Sequence, residues 1–308
     1  MITRLFSKSK PINFIAVFFI TLLALLLSHL KILLEPKTIT SISSFVLLFI
    51  VTYLSLLVLN FVSVKNKFVR GSSYDIILYA VFLLSIPLLL SNPYIIFANF
   101  FVLLGLRRLI SLHTQRDLAK KLFDAAFWIS VAAIFYFWSI LFFILILILL
   151  IMYTDNVVKH WLTPFVGVIT VFVLAVTFSI LYHGTFFTVF KSLPYVNFDY
   201  TIYNSPSVII ALTMLFSFGV WATIFYAKSV KGQKKSIRPV FKIIPIAVFI
   251  GFIIAVLAPL KNGSEFLFIL GPLAIIISNY IESMESNWFK ELFLGLLIFM
   301  PFILLLVF

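Results

Sequence analysis

The sequence predicts an all-α, polytopic transmembrane helical bundle of about eleven spans, on three observations. Apolar stretches of spanning length recur along the chain, charges are scarce, and the basic residues gather in alternating short segments. Of 308 residues, 63% are hydrophobic and only 11% charged, with a mean hydropathy of +1.21. A soluble chain carries about a quarter charged residues, so the composition places this one in the membrane class. The longest polar stretch, roughly two dozen residues, leaves no room for a soluble domain. Residues 1–308 therefore read as a single transmembrane domain. The chain has no cysteine, which excludes disulfides, thiolate metal sites and cysteine nucleophiles. Its net charge of +13 reads as membrane orientation and not as nucleic-acid binding, because cytoplasmic loops collect Lys and Arg.

Met1–Pro11 is short and basic and leads into the run 12–34. No small-residue cleavage site follows Leu27, so the run is expected to remain as the first anchor. Six further clear spans follow: 43–64, 162–182, 207–227, 243–260, 265–281 and 288–308. The stretches 75–106 and 122–153 are different. Each has about 31 residues, roughly 46 Å as one helix against a ~30 Å hydrocarbon core. Charge decides between one overlong helix and a pair of short ones. With both stretches folded as hairpins, 19 of the 23 basic residues fall on the cytoplasmic side, including Arg107, Arg108, Arg116, Lys120 and Lys121. Only Lys31, Lys37, Lys191 and Lys261 remain outside. Opening either hairpin alone turns a strongly basic segment outward, against the positive-inside rule. The N-terminus is thus expected in the cytoplasm and Phe308 in the periplasm.

The first break has local support, since Ser91-Asn92-Pro93 offers a cap followed by Pro at the first helical position. The second, at Tyr136-Phe137-Trp138, has no Gly or Pro and is aromatic, as at a membrane interface. The four hairpin helices should be about 14–17 residues long, too short to span alone. They would leave a shallow region facing the periplasm.

Ionisable residues are scarce and sit mostly at span ends. Asp75 and Asp124 are read at the cytoplasmic starts of helices, where a carboxylate favours the dipole. On the outer face, His29, Lys31 and Glu35 end the first span. The loop 183–206 carries His183, Lys191, Asp199 and Asn204 among Tyr195, Tyr200 and other aromatics. Such a loop suits stacking on sugar rings, and equally suits lying flat in the headgroup layer. No phosphate-cradling glycine loop and no metal-spaced cluster is present, so neither a metal nor another cofactor is expected.

The order of elements from 43 to 182 resembles the membrane half of lipid-linked-sugar glycosyltransferases of the GT-C type. Three stretches carry the resemblance: 59–68, closing a span into a basic loop; Leu84-Ser85-Ile86-Pro87-Leu88 through Ser91-Asn92-Pro93 to Leu104-Gly105-Leu106-Arg107-Arg108; and Phe123-Asp124-Ala125-Ala126-Phe127-Trp128. It implies short hairpins framing a cavity for a polyprenyl-phosphate donor. Glu35 or Asp199 would be the catalytic base, with His29, Lys31, Asn92, His183, Lys191, Tyr195 and Tyr200 binding substrate. The chain departs from the family in its very short first outer loop, in Asn92 where an Asp is frequent, and in Phe137-Trp138 where a Lys is. As a whole it is also similar to an uncharacterised polytopic inner-membrane family of Bacteroidota. The expectation is a multi-pass bacterial inner-membrane protein of cell-envelope biogenesis, GT-C-like and degenerate or accessory, with membrane lipids and polyprenyl-phosphate as partners. Two alternatives stand beside it: a non-catalytic subunit with a membrane-protein partner, and a transporter or lipid-handling protein.

Overall fold

The computed structural model describes residues 2–30, 39–153, 157–188 and 195–307. Among them are twelve α-helices and no strand. They are α1 (Ile2–Phe6), α2 (Pro11–Ser28), α3 (Ile39–Lys65), α4 (Tyr74–Ser85), α5 (Pro93–Ile110) and α6 (Leu118–Phe135). The rest are α7 (Phe143–Tyr153), α8 (Val158–His183), α9 (Pro206–Lys231), α10 (Arg238–Leu257), α11 (Leu267–Ser283) and α12 (Asn287–Val307). Eight helical segments are long and apolar enough to cross a membrane, and Tyr74–Ser85 and Phe137–Tyr153 are shorter apolar ones.

Both expected breaks are present, and the first has a visible local cause. Ile86 is extended before Pro87, the conformation a following proline favours. The chain then makes a 3-10 turn over Pro87–Leu90. Asn92 caps α5 by accepting a hydrogen bond from Tyr94 N at 3.0 Å, with Pro93 in the first turn. At the second break Tyr136 is extended (φ −145°, ψ 106°), and a 3-10 turn, Phe137–Phe142, leads into α7.

The flanking helices differ from the expected 14–17 residues, at 12, 18, 18 and 11. α5 and α6 are longer because Arg107, Arg108, Lys120 and Lys121 continue the helices instead of forming a loop. Within the expected first span, 12–34, α2 ends at Ser28, and residues 31–34 lie outside the described residues.

Between membrane helices there is no water to expel, so association depends on close packing, and small residues mark the closest approaches. Gly105 of α5 faces Ile129 and the Ala125 carbonyl of α6, and Gly167 of α8 faces Ala126 and the Phe123 carbonyl of α6. Gly219 of α9 lies against Leu273 of α11, and Gly251 of α10 against the Phe268–Ile269 backbone. α4 and α11 form the centre: every residue of α4 is buried, and nearly all of α11. α4 packs on α2, α3, α11 and α12, while α5 packs on α3 and α6. The first hairpin is therefore splayed, its helices meeting through an Asn99 Nδ2 to Tyr79 Oη hydrogen bond of 2.8 Å. α8 is peripheral and exposes Leu162, Phe165, Ile169 and Leu174.

Contacts sort the helix ends into two groups. At one end, Tyr74 donates to Thr3 O, Thr3 to Glu291, Arg70 N to Glu282 and Asn279 to Phe68 O. Ser229 donates to Asn279 and Tyr153 to Ser236 O, so the basic segments around 67–70 and 228–238 gather there. The opposite end carries the two breaks and the 199–205 and 258–266 connections.

Two acidic residues correct the sequence reading. Asp124 is not in the first turn of its helix, because α6 begins at Leu118; it pairs with Arg108 at 3.1 Å. Asp75 is in the first turn of α4 as expected, yet it is fully buried. It accepts from Asn60 Nδ2 at 3.1 Å on both oxygens, and from the Ser63 hydroxyl.

Candidate functional site

The end that carries the two breaks is built on helices of unequal length. α3, α8 and α9 have 27, 26 and 26 residues, whereas α4 and α11 at the centre have 12 and 17. The ring of Phe266, just before α11, meets Phe216 of α9 at 6.3 Å. Phe216 lies ten residues into α9, about 15 Å along its axis from Pro206. The centre of this end is thus a floor set deeper than the start of α9, with Tyr203 packed over it.

The floor is the connection 258–266. Its turn is closed locally: Asn262 Oδ1 accepts from Ser264 N at 3.1 Å, and Gly263 takes φ +90°, which favours glycine. Ser264 Oγ donates to Leu88 O at 3.2 Å and accepts from Asn92 N at 3.3 Å, joining the floor to the first break. Lys261, 2% exposed, donates to the last α10 carbonyls, Ala255 at 2.8 Å and Val256 at 2.5 Å. These are carbonyls a helix end leaves without partners. Burial holds the Lys261 ammonium below its ordinary pKa.

Glu265 sits in this floor, fully buried. Oε1 accepts weakly from Gly263 N at 3.3 Å, while Oε2 is buried without a partner. The start of α11 beside it supplies a positive dipole end. Tyr136, from the second break, lies within electrostatic range of the carboxylate, its ring stacked on Phe268 at 5.8 Å. The Tyr136 hydroxyl is also buried and unpaired, as is Trp138 Nε1 two residues on. Tyr203 adds a third unpaired hydroxyl, its ring 5.5 Å from that of Phe266. Buried polar groups are nearly always hydrogen-bonded, and each exception calls for a reason. Here four lie close together in sequence or space at one end of the bundle.

The residues singled out from sequence distribute unevenly. Glu35, Lys31 and Lys191 lie outside the described residues. Asp199 is fully exposed, and its Oδ1 accepts from Thr201 N at 3.0 Å and Thr201 Oγ1 at 2.7 Å. Those bonds hold its carboxyl below the usual range and occupy it in a turn cap. Tyr200 borders the floor: it donates to Val256 O at 3.2 Å, and Lys261 Nζ stands 4.7 Å from its ring. Asn92 borders it from the other side through Ser264. His29 is buried, its Nδ1 3.2 Å from Leu25 O and its ring edge-on to Phe45. His183 and Tyr195 are exposed, with His183 at the end of α8.

Sequence reasoning missed the floor itself. Glu265 was absorbed into the apolar run 265–281, although an acid inside a span is a functional candidate by default. That rule was the available signal. Comparison with family models, with curated proteins and with solved structures finds no match for this chain.

Proposed function

We propose that this chain is a multi-pass protein of a bacterial inner membrane, with eleven crossings and a cytoplasmic N-terminus. It acts in cell-envelope biogenesis on a lipid-linked substrate presented at the outer leaflet, in the manner of a degenerate or accessory GT-C-type glycosyltransferase. The observation that carries the reading is the buried Glu265 carboxylate, one oxygen unpaired, beside the unpaired hydroxyls of Tyr136 and Tyr203, at the end away from the basic segments. An apolar groove supports it from the membrane side. This groove, about 530 Å³, lies between α9, α10 and α11 and is lined by Phe216, Val220, Pro245, Phe252, Ile269 and Leu273 among others. Its volume is that of a ligand pocket. Phe216 connects it to Phe266, beside Glu265, so a hydrocarbon tail and a polar head have adjoining places.

A transport route through the bundle is not favoured. The space enclosed by α3, α5, α10 and α11 is about 10 Å³, room for about one water. The test is turnover: protein in nanodiscs, incubated with a polyprenyl-phosphate sugar and envelope acceptors. Release of polyprenyl phosphate that depends on the protein supports the reading. No turnover, together with a stoichiometric membrane partner that co-purifies in mild detergent, replaces it with the subunit reading.

A further inference from the structure

We propose that the groove between α9, α10 and α11 holds an acyl chain of an acidic phospholipid, from the leaflet that meets the basic segment 228–242. Lys231 and Lys242 bind its headgroup. The inference goes beyond the reading of the floor, since it concerns the opposite end of the groove and requires no reaction.

The groove is real space, about 530 Å³. Small residues on the walls, Gly219 and Ala227, open it, and Val220, Ile224, Phe249 and Phe252 are exposed along its rim. Thr223 is a polar side chain in the lining, and its hydroxyl donates to Gly219 O of its own helix at 2.7 Å. The lining thus suits hydrocarbon and offers little to a polar ligand. Its depth fits one leaflet: Ala227 lies eleven residues beyond Phe216, about 16 Å of helix rise, half of a ~30 Å hydrocarbon core. Phe216 adjoins the floor, so a substrate tail entering there would displace the acyl chain.

The other end opens on the strongest cluster of one charge in the chain. Residues 228–242 hold Lys228, Lys231, Lys234, Lys235, Arg238 and Lys242, and no acid. On α9 the lining positions Val220, Thr223, Ile224 and Ala227 recur every three or four residues, and Lys231 is the next place on that face. On α10, Lys242 precedes the lining residues Pro245 and Phe249 by one and two turns. Both lysines are exposed, and neither is ion-paired among the described residues. Arg238 fixes the turn between the two helices, donating to Gln233 O at 2.8 Å and Lys231 O at 2.6 Å. A cationic mouth above an apolar groove between helices complements a phosphate with an acyl chain behind it. A zwitterionic lipid matches the groove but brings its own cation to the mouth.

The test uses full-length protein, purified in mild detergent and washed free of lipid. Phosphatidylglycerol or phosphatidylcholine is titrated in, and bound lipid is counted by native mass spectrometry. The expected result is saturable retention of phosphatidylglycerol and several-fold weaker retention of phosphatidylcholine. Lys231→Gln with Lys242→Gln should weaken phosphatidylglycerol binding about tenfold or more. Arg116→Gln with Lys120→Gln, an equal loss of charge at exposed positions outside 228–242, should leave it within about twofold. Ala227→Phe places a ring at the exposed mouth of the groove and should weaken both lipids. Equal retention of the two lipids overturns the proposal, as does a control pair as damaging as the lysine pair. So does binding untouched by Ala227→Phe, or a two-chain mass that this substitution reduces to one, which would make the occupant a second copy. Lipid retention without sugar transfer leaves this inference standing while the transferase reading falls, and transfer without retention does the reverse.

Discussion

Replacing Gly251 by alanine places one methyl group where α10 meets the start of α11. An added Cβ would lie 2.9 Å from Ile269 Cγ1, and 3.1 Å from both Ile269 N and Phe268 C. The side-chain atom can swing away; the two backbone atoms cannot, so the helices must part. Overpacking of this kind costs about 1–3 kcal/mol, offset by the ~1 kcal/mol that alanine gains over glycine inside a helix. The difference runs from about 0 to 2 kcal/mol, and because backbone atoms are met the expected net loss is about 1 kcal/mol or more. Gly219→Ala is the control. Its Cβ would be 2.8 Å from Leu273 Cδ1, and all three of its near contacts belong to that one flexible side chain. Rotation of Leu273 relieves the contact, so the helix gain should cancel the remaining cost to within about 0.5 kcal/mol. Unfolding in dodecyl maltoside, followed by tryptophan fluorescence, measures both. The Gly251 variant should melt a few degrees below wild type and the Gly219 variant close to it. Equal effects, or a Gly251 variant as stable as wild type, would refute the packing argument at the base of the floor.

Other outcomes follow from single contacts. Asp75→Ala leaves Asn60 and Ser63 without their buried acceptor and should cost about 2–4 kcal/mol in the same unfolding assay. Asp75→Asn keeps one oxygen and should cost less. Asn92→Ala removes the cap of α5 and should cost about 1 kcal/mol, read as faster amide exchange at Tyr94. The turn at Asp199 should respond to acid. Its folded pKa lies below 3.8, so the turn's stabilisation is complete above the unfolded pKa and is lost as pH falls through the folded one. Hydrogen exchange at Thr201 should rise in that window, and Thr201→Val should move the rise to higher pH.

Much of the helical plan is written locally. Asn92-Pro93 carries its own cap and stop, and the Tyr136 break is marked by an aromatic cluster at the right distance from both basic segments. Helix length was less legible, because Arg107 and Lys121 are good helix formers whatever side of the membrane boundary they occupy. The site was least legible of all. Glu265 opens a run whose hydropathy hides one acid, and Tyr136, which faces it, lies far away in sequence. Only assembly of α10, α11 and the second break brings them together. The aromatic outer loop announced itself, yet Asp199 spends its carboxylate on its own turn, and Tyr200 and Tyr203 are the residues that reach the floor.

The central claim is that the two breaks and the Glu265 floor face outward while the basic ends face the cytoplasm. The absence of cysteine makes it directly measurable, because every introduced thiol is the only one. Single substitutions at Tyr94, Phe137 and Asp199, and at Gln115 and Ser236, sit at exposed positions of the two ends. A membrane-impermeant maleimide applied to intact spheroplasts should label the first three, and should reach Gln115→Cys and Ser236→Cys only after lysis. Labelling of Gln115→Cys or Ser236→Cys in intact spheroplasts, or protection of Tyr94→Cys and Phe137→Cys there, would contradict the account.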